Sequence, residues 1–341
     1  MTRVSVIGAG WYAAQSHIPT LASIPGVILD GVCHLGNDEL ERVRRHFGFA
    51  YASEDFADVL ARRPDAVVVA SPHHLHHAHS AAALDAGAHV LCEKPMTLDP
   101  AQAEDLVRRA ARADRHLILA NGYHYLPGVA ELRQMIRDGG VGRIEHVACT
   151  FVSATRAVFE GETGLARWGE TFFRPDRMTW QDPAQGGGFT WGQASHSVAL
   201  LLWLTGLRPI KASGRAFPAG AVDLCHAASL LCEGGAVVAL SGAAALPEGM
   251  PALLRLLITG NEGVLDIAID ADRAALHRHD GAHHILPVAP GAWRYDCEGP
   301  VRALVALARG GTAKDHDLSP ASIGAATVSV LDALIRSRND Q

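Results

Sequence analysis

Long apolar runs are missing. No stretch of the 341 residues approaches the ~18 uninterrupted apolar positions of a transmembrane helix, so no membrane span is expected. No charge sign dominates: 30 Lys and Arg against 36 Asp and Glu leave a net charge of -6. That balance argues against nucleic acid or an anionic membrane as the main partner. Cysteine is sparse, and its six copies (Cys33, Cys92, Cys149, Cys225, Cys232, Cys297) never show C-x-x-C spacing. They read as free, mostly buried thiols of a reducing compartment rather than as a disulfide or zinc framework. Repeats, low-complexity tracts and long linkers are also absent. The N-terminus, Met1-Thr2-Arg3-Val4-Ser5-Val6-Ile7, enters a strand-like run without a signal-peptide layout, which makes a cytoplasmic location the expectation.

What is present is the composition of a packed globular chain, 48% hydrophobic and 19% charged, with room for two domains. Strand candidates at 3–7, 27–33, 66–70, 88–92 and 117–121 alternate with helix-patterned stretches. Runs such as Ala66-Val67-Val68-Val69-Ala70 are apolar throughout, as strands covered on both faces must be. After about Asn121 the rhythm changes. A helix near 128–138 ends at Gly139-Gly140, and β-like runs follow one another at 144–155, 236–241, 253–259 and 263–269. The expected fold class is α/β: an N-terminal Rossmann doubly wound parallel sheet, then an α+β domain with a large, mainly antiparallel open sheet. The expected domains are 1–122 for dinucleotide binding and 123–341 for substrate binding and oligomerisation. The C-terminal helix is free, on this reading, to pack back on the first domain.

Gly8-Ala9-Gly10-Trp11-Tyr12-Ala13 fits G-x-G-x-x-A directly after the first strand. Gly8 allows a tight turn, Gly10 lets backbone approach a pyrophosphate, and Ala13 permits close helix–sheet packing. The following helix offers unpaired N–H groups and a partial positive charge to phosphate. The end of the second strand should then carry an acid for the ribose hydroxyls of NAD, or a base for the NADP phosphate. His34 occupies that place, with Asp38 a few residues on and no adjacent arginine, since Arg42, Arg44 and Arg45 come later. The missing phosphate partner favours NAD over NADP.

Ser71-Pro72-His73-His74-Leu75-His76 follows the 66–70 strand, and Ala86-Gly87-Ala88-His89-Val90-Leu91-Cys92-Glu93-Lys94-Pro95 follows the next helix. With the glycine turn in register, this segment resembles the glucose–fructose oxidoreductase / inositol dehydrogenase (Gfo/Idh/MocA) family, whose pattern reads roughly t-P-x-x-x-H, a helix, then a-G-k-h-V-x-x-E-K-P. The likeness continues through Asn121 and Val141-Gly142-Arg143-Ile144 to Gly186-Gly187-Gly188 and His196, so it covers most of the chain. It implies that Lys94 lies beside the nicotinamide and the reacting carbinol, and that a cis Lys94-Pro95 bond is in keeping with a tight active-site turn. Lysine suits the chemistry, because oxidising an alcohol sends hydride to the cofactor and a proton to a base. Its ordinary pKa of ~10.4 falls when burial and a positive nicotinamide disfavour the ammonium. Ser71, Pro72, His76, Glu93 and Asn121 are implied to line the cofactor.

The family's substrate-side pattern, G-G-G-x-x-x-D-x-G-x-H-x-x-D, aligns with 186–199. His196 is kept, while Gly192, Ala194 and Ala199 stand at the first aspartate, the glycine and the last aspartate. The resemblance makes His196 a substrate ligand and proton partner of Lys94. On an α-helix Gly192 and His196 share a face, so Gln193 beside it, or Asp182 upstream, is a candidate to replace the lost carboxylate. His124 and Tyr125 are placed at the cleft, and Trp168, Trp180 and Trp191 are candidate sugar platforms.

The run His73-His74-Leu75-His76-His77-Ala78-His79 invites a metal reading. A closed site needs chosen geometry and a second shell, so no metal is expected. The expectation is a hydride-transferring oxidoreductase acting on a sugar, sugar derivative or cyclitol. Lys94 and His196 carry the chemistry. Gly8, Gly10, Trp11, Tyr12, Ala13, His34, Ser71, Pro72, His76, Glu93, Lys94 and Asn121 hold NAD or NADP. His124, Tyr125, Trp180, Asp182, Trp191, Gln193 and His196 hold the substrate. A homodimer or homotetramer is expected, with no nucleic-acid or membrane partner. The alternatives are an NAD-recycling lyase or glycosidase working by oxidation and elimination, and a non-catalytic dinucleotide-binding regulator.

Overall fold

The computed structural model describes residues 1–162 and 172–339, which leaves Trp168 outside the described residues. The chain divides into two compact units. The first joins 1–122 to 168–179 and 296–325, and the second joins 123–167 to 180–295 and 326–341.

Six strands build the sheet of the first unit: β1 (Thr2–Ile7), β2 (Val27–Cys33), β3 (Tyr51–Ser53), β4 (Ala66–Val69), β5 (His89–Cys92) and β6 (Leu117–Leu119). Their order is β3-β2-β1-β4-β5-β6 and every pairing is parallel. All four residues of β4 are fully buried, which explains why the run carries no alternation. The order reverses between β1 and β4, so the crevice outside their carboxyl ends is the switch point where such sheets bind ligands. Residues far along the chain complete this unit. Helix Glu298–Ala308 packs on β5. The segment after it lies along β6, where Leu119 N–H donates to the Ser319 carbonyl at 2.9 Å and Pro320 bridges Ile118.

The second unit is built on eight strands: β7 (Ile144–Val152), β8 (Pro209–Ala219), β9 (Val222–Cys232), β10 (Val237–Ala243), β11 (Leu253–Gly260), β12 (Gly263–Ala268), β13 (Arg273–Arg278) and β14 (His283–Leu286). The order is β14-β13-β12-β11-β7-β10-β9-β8, antiparallel except for the β7–β10 pair. Alternate residues such as Val147, Cys149, Phe151, Leu254, Leu256 and Ile258 are buried on one face. Helix Ser195–Thr205, apolar around most of its circumference, packs against β7 on that side. On the other face Leu231, Val237 and Leu257 are exposed among the described residues.

The sequence pattern shows four of these eight strands, and five of the six in the first sheet. The β8–β9 hairpin carries Pro209, Gly214, Pro218 and many alanines and serines, which dilute the period-two signal. Strand β14 is an edge strand whose His283, His284 and Ile285 are exposed, so it lacks an apolar face to announce it. Strand β3 is three residues long and half-buried.

Candidate active site

The first turn shows why its two glycines differ. Gly8 sits at φ +86°, and a Cβ there would lie 2.3 Å from the Ser71 nitrogen and 2.4 Å from its Cα. Only glycine lets the β1 turn press against the loop after β4. A Cβ on Gly10 meets no atom of the described residues within 4 Å. Gly10 is therefore not required by packing, and it leaves backbone accessible to a phosphate. Ala13 and Ala14 are buried where the helix begins, first as a π-helical turn (Ala13–His17) and then as an α-helix (Ile18–Ser23). Trp11 and Tyr12 meet edge to face at 5.7 Å, and the Tyr12 hydroxyl donates to Cys297 Sγ at 3.1 Å.

At the end of β2, His34 is half-buried and lies 4.9 Å from the ring of Phe173. Burial lowers its pKa, opposed in part by Glu39. The imidazole is accordingly neutral at pH 7. Arg42, on the helix that follows, lays its guanidinium 4.1 Å from the centre of Phe172 and donates to the Phe172 carbonyl. The Gly36 N–H donates to the Glu54 carboxylate at 2.6 Å. Phe172 and Phe173 come from about 140 residues further along the chain, and no local motif signals them.

The β5 turn holds Glu93, Lys94 and Pro95, with a cis Lys94-Pro95 bond as expected. Glu93 is buried. One carboxylate oxygen lies 2.7 Å from His17 Nε2, and the other accepts from the Lys94 backbone N–H at 3.1 Å. Burial raises the Glu93 pKa, but the His17 hydrogen bond and charge, together with Lys94, outweigh it and leave the carboxyl below its ordinary range. Burial lowers the Lys94 pKa, partly offset by Glu93 and Cys297. His17 and Cys297 were not signalled by any motif. His17 lies one turn beyond the glycine signature, and Cys297 reaches the site only through the fold.

Asn121, at the end of β6, is buried. Its amide nitrogen contacts Ser319 Oγ at 2.9 Å, and its carbonyl oxygen has no partner among the described residues. Whichever way the amide is turned, one end is satisfied by Ser319 and the other is orphaned. A buried polar atom of this kind fits the carboxamide of a nicotinamide. With the open backbone at Gly10, these residues fit a dinucleotide.

The histidines after Ser71 fan out rather than converge. His77 Nε2 pairs with Asp105 at 3.0 Å, and His79 Nδ1 with Ser71 Oγ at 2.9 Å. His76 is fully buried between two carbonyls. It braces the loop from inside and does not line its surface. Among the described residues no three His, Cys, Asp or Glu side chains gather as a metal set.

In the second unit Gly188 has φ +93°, and a Cβ there would lie 2.5 Å from Asp223 Oδ1. This glycine run feeds a π-helical turn, Thr190–Ala194, before helix Ser195–Thr205. The π turn breaks the α-helical register that would have aligned Gly192 with His196. A Cβ on Gly192 would face Trp180 at 3.0 Å and Phe159 at 3.3 Å. The ring of His196 instead meets Tyr295 at 5.2 Å, Tyr123 at 5.8 Å and Phe151 at 6.0 Å. The volume beside Gly192 is thus walled by aromatic rings. Asp182 caps the short helix that follows it, accepting from Ala184 N–H and Gln185 Nε2, so its carboxylate is engaged locally. His124 is fully buried and stacks on Trp203 at 5.0 Å, as a core residue does. Trp191 is also buried, whereas Tyr125, Trp180 and Gln193 are half-buried.

Residues 2–121 match the oxidoreductase family with an NAD-binding Rossmann fold, and residues 129–266 match the GFO/IDH/MocA C-terminal domain. The chain belongs to the GFO/IDH/MocA oxidoreductase family. Residues 2–121, the larger part of its first unit, are that family's NAD-binding Rossmann domain. D-glucoside 3-dehydrogenase of Escherichia coli K12 is 28% identical over 210 residues, covering 61% of this chain and 55% of that protein. Glucose-6-phosphate 3-dehydrogenase of Bacillus subtilis is 30% identical over 184 residues, covering 54% and 47%. The chain spans about half the length of the curated relatives it matches. A levoglucosan dehydrogenase solved with NADH and levoglucosan superposes with a TM-score of 0.77 at 18% identity, over 99% of this chain and 97% of that one. An oxidoreductase domain protein from Kribbella flavida reaches 0.80 at 20%, over 100% and 98%. At these identities the two structures share the fold.

Proposed function

We propose that this GFO/IDH/MocA protein is an NAD-dependent dehydrogenase or reductase acting on a CH–OH group of a sugar, sugar derivative or cyclitol, with Lys94 as acid and base. The carrying observation is the half-buried Lys94, its pKa lowered by burial, at the carboxyl end of β5. The names of its relatives, dehydrogenases of glucosides and glucose 6-phosphate, support the substrate class. Bound NAD supplies the hydride acceptor. Lys94, as the neutral amine, would take the hydroxyl proton of the alcohol being oxidised and would return it in the reverse direction. Glu93, clamped by His17, fixes the backbone that carries Lys94. Gly8, Gly10, Ala13, Ser71, Pro72 and Asn121 hold the cofactor, and His196 within its aromatic surround binds the substrate. NAD is preferred because His34 is neutral and Arg42 is committed to Phe172.

No described helix is long and apolar enough to cross a membrane. A cytoplasmic location is part of this proposal. So is a homodimer or homotetramer formed through the open sheet face, which exposes Leu231, Val237 and Leu257. The test is NADH formation with a panel of glucosides, sugar phosphates and cyclitols, for the parent and for Lys94→Ala. The expected loss of kcat/KM is about 10²–10⁴-fold, with melting temperature little changed. Full rate in Lys94→Ala, or no turnover of any alcohol by the parent, refutes the reading. Glycoside cleavage without net NADH would instead mark oxidation and elimination.

A further inference from the structure

His76 presents an accounting problem. Its Nδ1 lies 2.7 Å from the Pro95 carbonyl oxygen and its Nε2 lies 2.8 Å from the Ser71 carbonyl oxygen. Carbonyl oxygens only accept. A neutral imidazole has one N–H, so one of its nitrogens would turn a lone pair toward an oxygen lone pair at hydrogen-bond distance. Both separations match charge-assisted N–H···O bonds. The side chain is fully buried, and each nitrogen already lies against its oxygen with no room for a water between them.

We propose that His76 is a buried imidazolium that clamps the loops after β4 and β5 together and biases Lys94 toward its neutral, proton-accepting form.

The charges around it are defined. Glu93, on the same turn as Pro95, is the anion within electrostatic reach and favours the cation, while Lys94 opposes it. His73 lies 5.7 Å away edge to face, and His79 on the helix His76–Asp85 is within electrostatic reach. His17 lies against Glu93, at 2.7 Å from its carboxylate. Burial, joined by Lys94, pulls the imidazole pKa down, against the two carbonyls and Glu93, which raise it. Two short bonds to pure acceptors decide the contest. Neutralising the ring would lose one of them and leave that carbonyl facing a lone pair, whereas the cation satisfies both and is balanced by Glu93. A fixed positive charge next to Lys94 then disfavours a second one on its ammonium. Only this consequence rests on the dehydrogenase reading; the protonation state does not.

The test is ¹⁵N NMR of the full chain labelled at histidine, free and with NAD, at about pH 9, well above the ordinary histidine pKa of ~6.5. The expected result is one ring with both nitrogens protonated and slow to exchange, kept in His17→Gln and lost in His76→Gln. A spectrum at that pH with no doubly protonated ring overturns the proposal, whether or not His76→Gln folds. So does a doubly protonated ring that disappears in His17→Gln. Where His76→Gln folds, the acid limb of its kcat/KM profile should move up by about one pH unit, since removing a neighbouring cation raises the Lys94 pKa. An unmoved limb refutes the link to Lys94. Absence of any turnover in the parent would instead count against the dehydrogenase reading and leave the NMR result standing.

Discussion

Gly8 and Gly10, two residues apart, should fail in opposite ways when changed to alanine. At Gly8 the new Cβ would lie 2.3 Å from the Ser71 nitrogen, at a backbone φ of +86°. The left-handed conformation costs an alanine about 1–2 kcal/mol. Forcing apart packed backbone adds about 1–3 kcal/mol, since the obstacle is not a movable side-chain end. The total, about 2–5 kcal/mol, corresponds to a melting temperature lower by about 5–15 °C. At Gly10 the new Cβ meets nothing within 4 Å and φ is not left-handed, so stability should be unchanged. The methyl group instead fills the approach to the backbone, and NAD affinity should fall at least about tenfold, or about 1.4 kcal/mol. Thermal unfolding and an NAD titration on the two variants separate packing from ligand approach. Gly8→Ala melting with the parent, or Gly10→Ala binding NAD as tightly as the parent, would refute the assignment.

Three further outcomes follow from other sites. Burial pushes the Asp317 carboxyl up to about 7, and its Oδ1 has no partner among the described residues. The folded state therefore holds a proton that the unfolded chain releases near pH 4, so stability is lost as pH rises from about 4 to about 7. Asp317→Asn should be more stable than the parent at about pH 8, by about 1–2 kcal/mol after allowing for partial exposure, with the advantage vanishing near pH 4. A parent-like melting curve at the higher pH counts against this. Asn121→Ala should weaken NAD binding about three- to tenfold, the worth of one hydrogen bond, with a smaller effect on substrate KM; unchanged NAD affinity would place the amide elsewhere. Leu257→Arg on the open sheet face should reduce the oligomer to a smaller species in light scattering, because a buried unpaired charge opposes association; an unaltered mass would move the interface off this face.

The site was unevenly legible for a physical reason. Gly8, Gly10, Glu93, Lys94 and Pro95 sit in turns next to their own strands, where chemistry imposes local residue types and spacing. Those turns and the family pattern could be read without coordinates. Asn121 was only partly legible and His17 not at all, because their partners Ser319 and Glu93 come from the far end of the chain or from another strand. Gly192 and His196 were read on an α-helical period that the π turn at Thr190–Ala194 interrupts, and nothing in the residue types announces that extra step.

By itself the chain's order of residues determined a parallel, doubly covered first sheet, since strands buried on both faces must be apolar throughout and their βα turns must be small. It also determined the candidate lysine. Tertiary structure alone decided which distant groups meet those turns: Cys297 against Tyr12, Ser319 against Asn121, Phe173 against His34, and two carbonyls against one imidazole. Such pairings depend on chain closure over tens to hundreds of residues, for which no local period or spacing exists. They also set the protonation of the buried groups, because charge in a dry interior is governed by neighbours in space.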